Sequence, residues 1–146
     1  MKSMLTTLLL LFVFLSLASA QSTDVIGHIQ TLKGQASVLR SGQTLPAAAG
    51  MALQRSDLLQ TAKSGAVSLV MIDDTNISLG PNSELSLQEY AFDPKEGKFS
   101  LVMKMAKGTF VYLSGLIAKL APDSVKLLIP DATIAVRGTK LLVEVQ

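Results

Sequence analysis

Cysteine is absent from this 146-residue chain and histidine occurs once, as His28. Without cysteine no disulfide can staple the fold, so stability in an oxidising compartment has to come from packing and backbone pairing. With one histidine and no thiol, a zinc site has almost no ligands to draw on, and His28 in Ile26-Gly27-His28-Ile29 is read as a strand-surface residue. Charge of one sign is also scarce: Lys and Arg number 13 against 11 Asp and Glu, a formal net charge of +2 with no block of like charge. Aromatics make up 5%, too few to interleave with basic residues as a nucleic-acid platform requires. Neither nucleic acid nor an anionic membrane surface is indicated as a partner. A G-x-S-x-G nucleophile elbow and a glycine-rich phosphate cradle are missing too, and no cofactor is expected.

What is present starts with a leader. Residues 1–20 place Lys2 near the start, an apolar stretch over 8–17, and the small-residue sequence Ala18-Ser19-Ala20. That layout predicts a secretory signal peptide cleaved after Ala20, with a mature chain of residues 21–146 forming one domain. The apolar stretch is short beside the roughly 20 residues of a membrane span, so no stable span is expected after cleavage. No cysteine follows the cleavage site to carry a lipid anchor, and the expected location is periplasmic or secreted.

The mature chain is dominated by short runs of period two, the pattern of half-buried strands. Leu85 and Leu87 alternate with Glu84, Ser86 and Gln88. Phe99, Leu101, Met103 and Met105 oppose Lys98, Ser100 and Lys104, and Val125, Leu127 and Ile129 oppose Ser124 and Lys126. Ile134 and Val136 alternate with Thr133, Ala135 and Arg137. Residues 66–72 are apolar on both parities and predict an interior strand covered on both faces. Turn clusters built on Gly, Pro, Asp and Asn recur at roughly ten-residue intervals, which suits a sandwich, a barrel or a coil of stacked rungs. Leu113, Leu116, Ile117 and Leu120 carry the only helical spacing, ended before Pro122. The expected fold is therefore all-β, a single twisted domain with one short helix.

Two segments carry candidate chemistry. Asp73-Asp74-Thr75-Asn76 has oxygen ligands, but Ile77 and Ser78 stand where a calcium loop needs a fifth-position oxygen and a sixth-position glycine, so it reads as a tight turn. Asp57, Asp74 and Asp131 are the candidates for a carboxylate pair, each at a strand edge or turn where a carboxylate ordinarily caps backbone N–H groups. At Arg137-Gly138-Thr139 the apolar parity shifts, from Ile134 and Val136 before it to Leu141, Val143 and Val145 after it. A bulge or sharp corner has to absorb the odd residue, and Gly138 suits it. Arg137 and Thr139 are expected to lock that corner by hydrogen bonds to neighbouring carbonyls, the alternative being that Arg137 offers its planar fork to a partner carboxylate.

From Gly27 to Val145 the chain resembles the FecR domain family. The resemblance rests on Gly34-Gln35-Ala36-Ser37-Val38, Arg55-Ser56-Asp57-Leu58-Leu59-Gln60-Thr61, Asp74-Thr75-Asn76-Ile77-Ser78-Leu79, Pro81-Asn82-Ser83-Glu84-Leu85, Lys107-Gly108-Thr109-Phe110, and the segment from Ile129-Pro130-Asp131 through Arg137-Gly138-Thr139. It implies an all-β, twisted and solenoid-like or sandwich structure. It marks Asp57, Asp74, Asn82, Gly108, Arg137, Gly138 and Thr139 as motif residues, read here as structural. It also implies a role in periplasmic protein contacts. In the sensor form, such a domain belongs to an inner-membrane regulator that relays the state of an outer-membrane receptor to a sigma factor. Here no sigma-factor segment, retained span or receptor-contacting portion is read, so the expectation is a stand-alone exported form. It would be a non-catalytic binding or structural module of the cell envelope whose partner is a protein or a cell-surface polymer. The alternatives are a sensor-regulator component working through a separate membrane partner, and a small envelope hydrolase.

Overall fold

The alternating runs are strands, and there are twelve of them in the structure, a computed structural model that describes residues 24–146. The expected signal peptide lies outside the described residues. In chain order the elements are β1 (Val25–Lys33), β2 (Ala36–Arg40), β3 (Gln43–Pro46), β4 (Ala52–Gln54), β5 (Leu58–Thr61), β6 (Ala66–Met71), β7 (Asn76–Leu79), β8 (Glu84–Asp93), β9 (Lys98–Leu113), α1 (Leu116–Leu120), β10 (Val125–Ile129), β11 (Ala132–Ala135) and β12 (Lys140–Val145). A single 3-10 turn, Pro122–Ser124, separates α1 from β10. The expectation of an all-β fold with one short helix is borne out.

Pairing divides the strands into two leaves that share β9. One leaf runs β4-β1-β6-β7-β9-β12 and the other β3-β2-β5-β8-β9-β10-β11. The first half of β9 pairs with β8 and β10; its second half, from Gly108, pairs with β7 and β12. All pairs are antiparallel except β9 with β10. A coil of stacked rungs would need parallel neighbours, so the antiparallel ladder produces a curled sheet folded over on itself. One apolar cluster fills the space between the leaves: Ile29, Leu69, Ile77 and Phe110 from the first, Val38, Leu59, Leu85, Met103 and Leu127 from the second. Of the residues read as dry from their parity, Leu85, Leu87, Leu101, Met103, Met105, Val125, Leu127 and Val136 are buried, while Phe99, Ile129 and Ile134 are half-buried and pack against the same cluster.

Four crossings between the leaves lie side by side and form a seam. They are Gly34-Gln35, residues 62–65, residues 80–83, and the bend inside β9 at Gly108. Backbone bonds link each to the next: Ala62 N–H donates to the Gln35 carbonyl (2.9 Å), Asn82 N–H to Ala62 (3.1 Å), and Gly80 N–H to Thr109 (2.9 Å). Two buried hydroxyls fasten the crossings further. Thr61 Oγ1 donates to the Gly80 carbonyl (2.7 Å) and accepts from Ser83 N–H (2.8 Å), while Ser83 Oγ accepts from Thr109 N–H (3.1 Å). Gly108 sits at φ +102° with Ser83 packed where a Cβ would go, so the bend both needs a left-handed residue and leaves no room for a side chain.

Two expectations are corrected. The segment 66–72 is interior by pairing, with β1 on one side and β7 on the other, but only one of its faces is covered. Val67, Leu69 and Met71 are buried, whereas Ser68 and Val70 are half-buried and Ile72 is 49% exposed. The helix is one turn shorter than its spacing predicts. Leu113 is the last residue of β9, because its backbone is held in register with Asn76 of β7 and Lys140 of β12, leaving five helical residues with Ile117 as the buried one.

Candidate functional site

Two carboxylates are fully buried in the described residues, and each is enclosed by donors. Asp57, just before β5, receives a two-pronged bond from Arg40 of β2: Nε to Oδ1 at 2.8 Å and Nη2 to Oδ2 at 2.7 Å. Gln54 N–H adds a third bond at 2.8 Å, and Arg40 Nη2 also donates to the Ala52 carbonyl at 3.0 Å. Ala52 and Gln54 belong to β4, so this ion pair ties one leaf to the edge strand of the other. The hydrogen bond to Asp57 holds the Arg40 guanidinium even more firmly protonated than usual, against the opposing pull of burial.

Asp73 lies in the turn between β6 and β7. Its carboxylate accepts from Tyr90 Oη (2.8 Å), Thr75 Oγ1 (2.8 Å) and Ile117 N–H (3.1 Å), and its carbonyl accepts from Leu116 N–H (2.8 Å). Gly115 at the helix N-terminus has no side chain to cap it, so Asp73, 44 residues away from Ile117, satisfies the first N–H groups of α1 instead. Burial, then the bond to Asp73, pushes the Tyr90 hydroxyl far above the usual tyrosine range. Among the described residues Asp73 makes no ion pair, and its carboxylate is held by neutral donors that tie the β6–β7 turn to β8 and α1.

Tyr112, beside this cluster, is fully buried and its hydroxyl has no hydrogen-bond partner among the described residues. Burial raises its pKa, and the Ser114 and Thr75 hydroxyls pull the other way without reaching bonding geometry. Tyr112→Phe removes an unpaired polar atom at little change of shape. It should leave the protein as stable as before or up to about 1 kcal/mol more stable in urea unfolding, and a clear loss would show that the hydroxyl is satisfied after all.

The remaining motif residues fall in three places. Asp74 is exposed at φ +67°, in the tight turn expected of it, with its carbonyl accepting from Asn76 Nδ2. Asn82, at φ +51°, and Gly108 are seam residues. Arg137, Gly138 and Thr139 form the corner where the chain leaves β11 in one leaf and enters β12 in the other, so the parity change is a change of leaf. Gly138 takes φ +120° with open space around it. The lock expected of Arg137 and Thr139 comes from elsewhere: Ser114 Oγ donates to the Gly138 carbonyl (2.6 Å) and Ser114 N–H to the Thr139 carbonyl (2.9 Å). Arg137 is exposed and its side chain makes no hydrogen bond or ion pair among the described residues. Because the corner faces solvent, its carbonyls are reached from the end of β9 and leave the arginine free.

Asp131 is exposed at the β10–β11 turn and lines an open groove of about 440 Å³ with Lys104, Gln88 and Thr133. A second groove, about 620 Å³, runs along the seam between Leu32, Ala36, Pro46 and Gln60. Neither brings two carboxylates together. His28 is exposed on β1, and no group of three or more metal-ligating side chains occurs among the described residues. Sequence reasoning missed Arg40 and Asp73 as structural keystones. Arg40 carries no local pattern that distinguishes it, and apart from Thr75 in the same turn the donors to Asp73 come from two distant elements, β8 and α1.

Among known proteins, a family model described as FecR protein matches residues 57–146. The match covers β5 to β12; the Gly34-Gln35-Ala36-Ser37-Val38 and Arg55-Ser56 pieces of the resemblance lie before it. No curated protein and no solved structure matches the chain. The matched span begins at the buried Asp57, takes in three crossings of the seam and the Arg137 corner, and covers well over half of the sequence: the chain belongs to the FecR family.

Proposed function

We propose that this protein is an exported, non-catalytic member of its family that binds another envelope protein through the corner at Arg137. The observation that carries the proposal is the pairing of a free side chain with a fixed backbone. Arg137 is exposed and unpartnered, yet the carbonyls on its C-terminal side are both clasped by Ser114. A guanidinium mounted this way presents a planar, permanently charged fork to a carboxylate on a partner from a backbone that is already ordered. A non-catalytic role is supported by the state of the buried acids. Asp57 and Asp73 are each enclosed by donors, whereas hydrolysis by a carboxylate pair needs two such groups facing one cleft.

Family membership favours the second reading, a sensor-regulator component, in which the same corner would meet a membrane-embedded partner. Capture from envelope extract separates the two by what is bound. Arg137→Ala should lose the captured partner while its thermal midpoint stays within about 1–2 °C of the parent, as for a surface side chain that holds nothing. Arg137→Lys should bind more weakly than the parent, since a point charge replaces the fork. If Arg137→Ala instead unfolds early, or captures the same partner undiminished, the corner is not the contact.

A further inference from the structure

Folding the sheet on itself leaves four strand edges open among the described residues: β3, β4, β11 and β12. Three of them discourage pairing. β3 ends in Pro46, β4 is three residues long, and β11 is a four-residue strand directly after Pro130-Asp131. β12 differs in being six residues long and free of proline, with Leu142 at its centre 69% exposed. Its Leu141, Val143 and Val145 turn toward the core, and Lys140, Leu142 and Glu144 point outward.

We infer that β12 is a self-pairing edge, joining two copies of this chain antiparallel about a twofold axis through Leu142. The order of the outward side chains selects that occupant. In an antiparallel pair, directly opposed residues share a face. The register centred on Leu142 sets Lys140 against Glu144 of the second copy, Glu144 against Lys140, and Leu142 against Leu142. Shifting the centre to Leu141 or Val143 places the exposed leucine against a charge, and a one-residue slip sets an outward side chain opposite a core-facing one. A single register therefore neutralises both charges and covers the leucine at once. The join would extend the six-strand leaf into twelve strands. The outer face beside the joint is suited to this, since β6, β7 and the second half of β9 present Ser68, Val70, Asn76, Ser78, Val111 and Leu113 there without one charge.

Six residues a side fall short of the ~800 Å² per partner of a standard interface, so the dimer is weak, with a dissociation constant on the order of 10–100 µM. Sedimentation velocity on the purified full-chain product, over a roughly hundredfold concentration range around that value, should show a monomer–dimer equilibrium. K140E and E144K each turn two cross-copy attractions into two repulsions and should raise the dissociation constant at least about tenfold. An equimolar mixture of the two variants restores complementarity and should associate again, as should the double variant K140E/E144K with itself. Both side chains are exposed, so urea unfolding of the singles should match the parent and exclude misfolding as the cause. A protein that stays monomeric throughout the range, a dimer indifferent to K140E and E144K, or a mixture that fails to re-associate would each overturn the inference. The last two would place any self-contact on another surface.

Discussion

Asp73→Ala should cost about 3–5 kcal/mol of folding stability, out of the ~5–15 kcal/mol of a typical domain. Four donors converge on this carboxylate inside the protein: the Tyr90 hydroxyl, the Thr75 hydroxyl, the Thr75 N–H and the Ile117 N–H. Removing it takes the acceptor from all four in a buried place, which is the expensive direction in which to break a hydrogen bond. The helix suffers as well. Five residues cannot hold a helix by themselves, and α1 has no side-chain cap of its own. Asp73→Asn keeps an acceptor oxygen but turns an amide toward a donor, so its loss should be smaller than that of the alanine. Urea unfolding followed by tyrosine fluorescence measures both. An alanine variant within about 0.5 kcal/mol of the parent would mean that Asp73 caps nothing of consequence.

The second large effect is expected at Arg40. Arg40→Ala leaves the Asp57 carboxylate, 0% exposed, with only the Gln54 N–H to hold it. Breaking a buried pair from one side costs about 3–5 kcal/mol because a charge is left without compensation. Arg40 itself is 23% exposed, so water can enter where its side chain was, and about 3 kcal/mol is the better figure. Removing the carboxylate as well should relieve part of this loss. The double variant Arg40→Ala with Asp57→Ala is expected to be no less stable than Arg40→Ala alone. Losses that simply add would show the two side chains to be energetically independent, contrary to their two-pronged geometry.

Strand positions were legible wherever alternation ran unbroken. Leu85 and Leu87, Leu101 to Met105, and Val125 with Leu127 turned inward because a half-buried sheet leaves parity no other reading. Legibility failed where the ladder is interrupted. In β8 the register shifts between Leu87 and Glu89, so Gln88 and Glu89 both face out before Tyr90 turns in, and the second half of the strand shows no clean period. β1 carries a similar shift between Ile29 and Thr31. Residues 66–72 misled in the opposite way. Val70 and Ile72 are apolar without being covered, which hydropathy cannot distinguish from burial. At the candidate site, the parity change pointed to a special backbone at Gly138. What holds that backbone was hidden, because Ser114 lies 24 residues earlier and has no pattern of its own.

The bend in β9 ties together two halves that would otherwise be separable. One unbroken 16-residue strand supplies a central rung to each leaf, so neither can peel away without stripping hydrogen bonds from the other. Partial unfolding thus has no natural cleavage plane. The molecule has to open as a whole, and a protease waiting for a loosened leaf would be left with exposed turn tips such as the β8–β9 hairpin around Gly97 and the β2–β3 hairpin at Ser41-Gly42, where a cut severs no interleaf rung.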